Sequence, residues 1–204
     1  MLSVGIPMVL YLASAITSNL NLGIRHVLPI YPFIYLLIAL AAAKLATIQP
    51  RIFKWSAAML GVALAVESLA AFPNYLAFFN APSRPFHLRL LSDSNIDWGQ
   101  DLLLLNRWQQ DHPRTRLYLC YFGSVDPAVY GIDYINLPGG TYFNREEQRP
   151  DAPGVIAISA SRLQGVHLSP ELRAFYRDLL NDQEPIDVLG GSIYLFEYPP
   201  RAPK

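Results

Sequence analysis

The sequence predicts a membrane α-helical region of about three transmembrane helices, followed by a small α/β extracytoplasmic domain with a mixed sheet. Three observations predict it. Residues 1–24 carry no charge, residues 27–43 none, and residues 55–72 only Glu67; each run is close to the ~20 residues that cross a hydrocarbon core of about 30 Å. Beyond residue 72 the chain turns polar, and short apolar runs alternate with a helical pattern. The formal net charge of zero hides an asymmetry. Residues 1–72 hold Arg25, Lys44, Arg51 and Lys54 against Glu67 alone, a net +3, so the remainder carries −3. Neither part is basic enough for a nucleic-acid partner.

The first span covers about residues 4–20 and ends in Thr17-Ser18-Asn19. A cleaved signal competes for this run, because Ala13-Ser14-Ala15 offers a small-residue cleavage site. No Lys or Arg precedes the apolar stretch and two more spans follow, which favours a retained helix. The missing basic flank also fits a chain that begins partway through a longer membrane protein. Asn21 to His26 reads as a short polar link to the second span, about 27–44. Pro29 and Pro32 fall in its first turns, where amide donors have no intrahelical partner to lose.

The link 45–54 carries Arg51 and Lys54 just after Lys44, and Trp55 opens the third span at interfacial depth. Three cations here against Arg25 at the other link place residues 45–54 in the cytoplasm. Residues 73–204 then lie outside it, although Arg84 and Arg89 narrow the margin. The implied location is a multi-pass protein of the inner (plasma) membrane. The predicted organisation is a three-helix transmembrane region over 1–72, an interfacial connector over 73–97 and a soluble α/β domain over 98–204. Aromatic residues crowd Phe72 to Asn80, where rings partition into the headgroup region; contact with a lipid carrier is the sharper alternative.

In the soluble part, Trp98 to Gln110 reads as a helix with Trp98, Leu102, Leu105 and Trp108 forming one buried stripe. Residues 116–122 and 154–159 read as buried strands. Cys120 lies within the first, so it reads as a packed thiol rather than a nucleophile. Ser169 caps a helix that opens with Pro170 and runs to about Asn181. Residues 187–189 and 192–198 flank Gly190-Gly191 as a hairpin.

The densest chemistry lies in Ser92-Asp93-Ser94-Asn95-Ile96-Asp97-Trp98-Gly99-Gln100-Asp101. Alternating Asp93, Asn95 and Asp97 invite a calcium-loop reading, but Trp98 replaces the turn glycine and Leu104 the closing glutamate. No metal or other cofactor is therefore expected. Asp97 as N-cap with Gln100 three residues on, and Asp101 at the positive helix end, explain three of these residues structurally. The functional alternative is a saccharide site: a tryptophan face to stack on, with acceptors from Asp93, Asn95, Asp97, Gln100 and Asp101. Arg25-His26 reads either as interfacial cations or as a phosphate binder, since arginine presents a fork of donors. Gly123-Ser124 is no nucleophile elbow, His167 has no evident Ser or Cys partner, and Pro138-Gly139-Gly140-Thr141 lacks the ending of a phosphate loop.

Asn21-Leu-Gly-Ile-Arg25-His26-Val-Leu-Pro29-Ile-Tyr31-Pro32-Phe33 resembles the late membrane helices of bacterial GT-C type, phospholipid-carrier-dependent glycosyltransferases, relatives of the protein mannosyltransferases and aminoarabinose transferases. Asp93-Ser-Asn95-Ile-Asp97-Trp98-Gly99-Gln100-Asp101-Leu102 is similar to a motif that follows the last span in some of them. Tyr121 to Tyr134 and Ile158 to Val166 extend the resemblance over nearly the whole chain. It implies sugar transfer from a polyprenyl-phosphate donor at the outer membrane face, with inversion at the sugar carbon. It also implies that the catalytic carboxylate sits in an early outer loop with no counterpart here. No residue of this chain inherits the catalytic role. The chain is then expected to be a C-terminal portion needing a missing N-terminal catalytic segment. A non-catalytic, membrane-tethered carbohydrate- or lipid-binding or assembly module is the rival reading.

Overall fold

The computed structural model describes residues 2–17, 23–140, 145–180 and 183–200. The chain divides into two compact units, residues 1–72 and 73–204.

The first unit is helical. Helix α1 spans Leu2–Thr17, a 3-10 helix spans Gly23–Ile30, α2 spans Tyr31–Ile48 and α3 spans Pro50–Ala71. Two stretches are long and apolar enough to cross a membrane: Arg25–Ile48, with 24 residues, and Pro50–Ala71, with 22. At 1.5 Å per residue, 22 residues reach about 33 Å, a match to a hydrocarbon core. Helix α3 buries no residue, and Leu64 and Leu69 are 69% and 76% exposed. A helix apolar all round is stable only where its surroundings are apolar. Helix α1, with 16 described residues, reaches only about 24 Å; residues 18–20 of the expected first span lie outside the described residues.

Two boundaries differ from expectation. The link expected over 45–54 is helical except at Gln49, whose non-helical backbone (φ −134°, ψ 64°) separates α2 from α3. Pro50 begins α3, because a proline at the first helical position loses no hydrogen bond. Arg25 and His26 lie within the 3-10 helix that leads into α2, not in a polar link.

The second unit is a five-stranded mixed sheet with helices on both faces. In chain order come a short helix α4 (His87–Leu90), α5 (Leu102–Asp111), β1 (Leu117–Cys120), β2 (Ile135–Asn136), β3 (Gly154–Ser159), α6 (Ala160–Leu163), α7 (Pro170–Leu180), β4 (Asp187–Leu189) and β5 (Ile193–Tyr198). The strand order is β2-β1-β3-β5-β4. Strand β1 pairs parallel with β2 and β3, and β5 pairs antiparallel with β3 and β4.

Period-two alternation sends opposite faces of each strand into two cores. Leu117, Leu119, Val155, Ala157, Ile193 and Leu195 pack with Leu102 and Leu105 of α5. Tyr118, Cys120, Ile156, Ile158, Tyr194 and Phe196 pack with Tyr176 and Leu180 of α7. Burial on both faces explains why these strands read as unbroken apolar runs. Phe79 and Ile96, from the stretch read as a connector, are buried in the α7-side core. The Ser169 hydroxyl accepts the Leu172 amide at 3.3 Å, the bond expected of an N-cap.

Candidate functional site

Strand β1 sits between two parallel partners: the chain leaves it toward β2 on one side, and β3 lies on the other. In open α/β sheets, such a switch point opens a crevice at the carboxyl ends of the strands where ligands bind. Here the segment 92–101 meets the ends of β1 and β3, through Tyr121 at Gly99 and through Asp97 beside Ser159.

The segment is built from local bonds. Asp93 takes a left-handed backbone, φ 57, a conformation that short polar side chains tolerate. Its carbonyl accepts the amides of Ile96 and Asp97 at 3.0 and 3.2 Å. Asn95 Nδ2 donates to the Ser92 carbonyl at 2.8 Å. Asp97 Oδ1 accepts the Gly99 amide at 2.9 Å, an Asx-type turn. Gly99 has φ 74, and a Cβ there would lie 1.9 Å from the Tyr121 hydroxyl, so both backbone and space require glycine. Gln100 clasps the loop from both sides, accepting the Trp98 amide at 2.8 Å and donating to the Ile96 carbonyl at 3.0 Å.

This geometry corrects two expectations. Helix α5 begins at Leu102, so Trp98 is not helical and not part of the buried stripe; its ring is 57% exposed. Its Nε1 donates to the Ser94 carbonyl at 2.7 Å. Asp97 and Gln100 do not form a capping box, because both side chains are engaged inside the loop. Asp101 holds the N-cap position, but its carboxylate makes no capping bond.

Both carboxylates turn inward. Asp97 is 0% exposed and lies beside the end of β3. Burial raises its pKa from 3.8 to about 6, against the Gly99 amide, the Ser161 amide and the Ser159 hydroxyl, which favour the charged form; the Asp101 charge adds a smaller upward push. Among the described residues its Oδ2 has no partner at hydrogen-bonding geometry. The Ser159 hydroxyl accepts the Phe122 amide at 2.9 Å, tying the end of β1 to that of β3. Asp101 is 3% exposed, and its Oδ2 accepts the Ser192 hydroxyl at 2.7 Å. Burial raises its pKa, with Ser192 opposing.

The segment thus brings Asp93, Asn95, Asp97, Trp98, Gln100 and Asp101 together; Trp98 is exposed, Asp93, Asn95 and Gln100 are half-buried, and Asp97 and Asp101 are buried. Of its carboxylates, those of Asp97 and Asp101 accept bonds within the fold. Arg25 and His26 belong to the other unit. Cys120 is buried and its thiol is pushed up to about 12 by burial, which makes it inert. Among the described residues, no group of three or more His, Cys, Asp or Glu is arranged to hold a metal ion.

Sequence reasoning missed a second feature. On the α7 side of the sheet lies a cavity of about 560 Å³, bordered by α4, α6, α7 and β5. Arg162, Arg173 and Arg177 line it, with Glu184 the one carboxylate among the described residues. The signal was present, since Arg173 and Arg177 stand four apart and share one face of α7. Comparison of the chain with protein-family models, curated proteins and solved structures finds no match.

Proposed function

We propose that this chain anchors in a membrane and serves sugar transfer from a polyprenyl-phosphate carrier by recognition and scaffolding, not by bond-breaking chemistry. Its helical unit spans the inner membrane several times, α1 included, and its α/β unit stands on the extracytoplasmic side. The resemblance of the 21–33 and 93–102 segments supports the sugar-transfer setting. The observation that carries the non-catalytic part is the sealing of Asp97 and Asp101, whose carboxylates hold a turn and a hairpin. A general acid or base must reach the proton it moves, and these two cannot.

A membrane-tethered binding or assembly module outside sugar transfer is the second reading, favoured by the arginine-lined cavity. The test reconstitutes the full chain in vesicles containing a labelled polyprenyl-phosphate sugar. Co-flotation of the chain with label enrichment, without release of free or transferred sugar, is expected. Sugar release by the chain alone, abolished by Asp97→Asn, would overturn the non-catalytic reading. Equal retention of polyprenyl-phosphate and neutral polyprenol would remove the carrier-recognition part.

A further inference from the structure

We infer that the cavity on the α7 face is a binding site for an anionic amphiphile, a phosphate-type head on an apolar tail. This inference stands on the cavity itself and does not depend on the sugar-transfer reading. At about 560 Å³, it lies within the roughly 300–1,000 Å³ of small-molecule sites. Its apolar wall includes Leu163, Leu168, Tyr176, Leu180, Tyr194 and Phe196. The polar atoms of the two tyrosines are turned to other work: Tyr176 donates to the Pro138 carbonyl at 2.5 Å, and the Tyr194 hydroxyl pairs with His87 Nε2 at 2.5 Å. What these rings present to the cavity is therefore their apolar body, suited to a hydrocarbon tail.

The rim is cationic and pre-set. Arg162 donates through one terminal nitrogen to the Val166 carbonyl at 3.1 Å, and Arg173 donates through Nε to the Leu168 carbonyl at 3.1 Å. Each guanidinium is thus held in place by one donor while keeping others of its five for a ligand. The Arg162 Nε is cut off from solvent and has no partner among the described residues. Arg177 adds a third charge, paired only at 3.7 Å with an exposed Asp178, a contact of little energetic weight. Among the described lining residues, three guanidiniums stand against Glu184. A positively charged rim on an apolar wall selects a head that accepts fork-shaped donors and a tail that prefers to leave water.

The probe is hexyl phosphate, titrated by calorimetry into the full chain in phosphatidylcholine nanodiscs, with empty nanodiscs as the blank. Inorganic phosphate and hexanol serve as head-only and tail-only arms. Saturable binding of hexyl phosphate, at least about tenfold tighter than either arm, is expected, because head and tail contribute together. Arg173→Gln with Arg177→Gln should weaken it about tenfold or more. Should that pair disturb α7, Arg177→Glu alone, an exposed position, gives a second reading of the same charge effect. No saturable heat above the blank overturns the inference. So does affinity unchanged in both variants, or hexanol binding as well as hexyl phosphate, which would mark a plain apolar hole. Inorganic phosphate matching hexyl phosphate would make it a free-anion site and equally overturn it.

Discussion

Replacing Asp97 by Asn should change how the stability of the α/β unit depends on pH. A carboxyl held near 6 instead of 3.8 opposes folding once ionised, by about 3 kcal/mol at neutral pH. The direction follows from proton counts. Between about pH 4 and 6 the folded chain binds more protons at Asp97 than the unfolded chain, so stability falls as pH rises through that window. It is fully retained below the ordinary carboxyl pKa. Asn keeps the acceptor for the Gly99 amide and puts a donor where the neutral acid would have its O–H. It therefore imitates the protonated form at every pH. Asp101 titrates in both proteins and largely cancels. The assay is hydrogen exchange at the β1 and β3 amides of the full chain in neutral detergent, corrected for intrinsic exchange. The variant should gain on the parent by about 2.4 kcal/mol between pH 4 and pH 7, whatever constant offset the amide introduces. A parent–variant difference that does not move with pH would refute the buried-acid account.

Four other outcomes are expected. Ser192→Ala removes the side-chain donor to the buried Asp101 Oδ2 and should lower stability by about 1–3 kcal/mol, read as faster exchange at β4 and β5. Gly190→Ala should be harsher, about 3 kcal/mol or more, because Gly190 has φ 59 and a Cβ would sit 2.1 Å from Asp101 Oδ1; exchange no faster than in Ser192→Ala would contradict the packing described. Cys120 should resist maleimide at pH 7 in the native chain and react only in denaturant, so rapid native labelling would mean the strand is open. The chain should remain in the pellet after an alkaline carbonate wash of membranes and leave it with detergent; release by carbonate alone would argue against spanning helices.

How far the fold was legible depends on what decided each element. β1, β3 and the β4–β5 hairpin could be read because two-sided burial writes an apolar run and Gly190-Gly191 marks the turn. β2 could not: two residues, Ile135 and Asn136, show no periodicity, and only pairing with Tyr118 and Leu119 makes them a strand. The misplaced start of α5 had a readable warning. Gly99, with φ 74, cannot continue an α-helix, and Trp-Gly-Gln already carried it. The capping-box pattern misled because Gln100 closes a loop with the same backbone groups that a cap would use. The inward turn of Asp97 and Asp101 was not legible at all, since it depends on Ser159, Ser161 and Ser192, 58 or more residues away in the chain.

That distance gives the tryptophan segment its physical role. Through Asp97 it meets the end of β3, and through Tyr121, whose hydroxyl donates to the Gly99 carbonyl at 3.3 Å, it meets the end of β1. Through Asp101 it reaches the β4–β5 turn. One loop therefore joins the parallel and antiparallel parts of the sheet at a point where parallel strands would otherwise splay. Two desolvated carboxylates are an expensive way to do this, and apolar side chains would have packed more cheaply. What the acids add is direction: Asp97 accepts the Gly99 amide and fixes the loop's own turn, and Asp101 accepts the Ser192 hydroxyl and fixes the loop against the start of β5. A fixed register in β5 sets Tyr194 and Phe196 on the α7 face, and those two side chains form part of the cavity wall. Damage to the tryptophan segment should thus be felt as lost binding in a cavity it does not line.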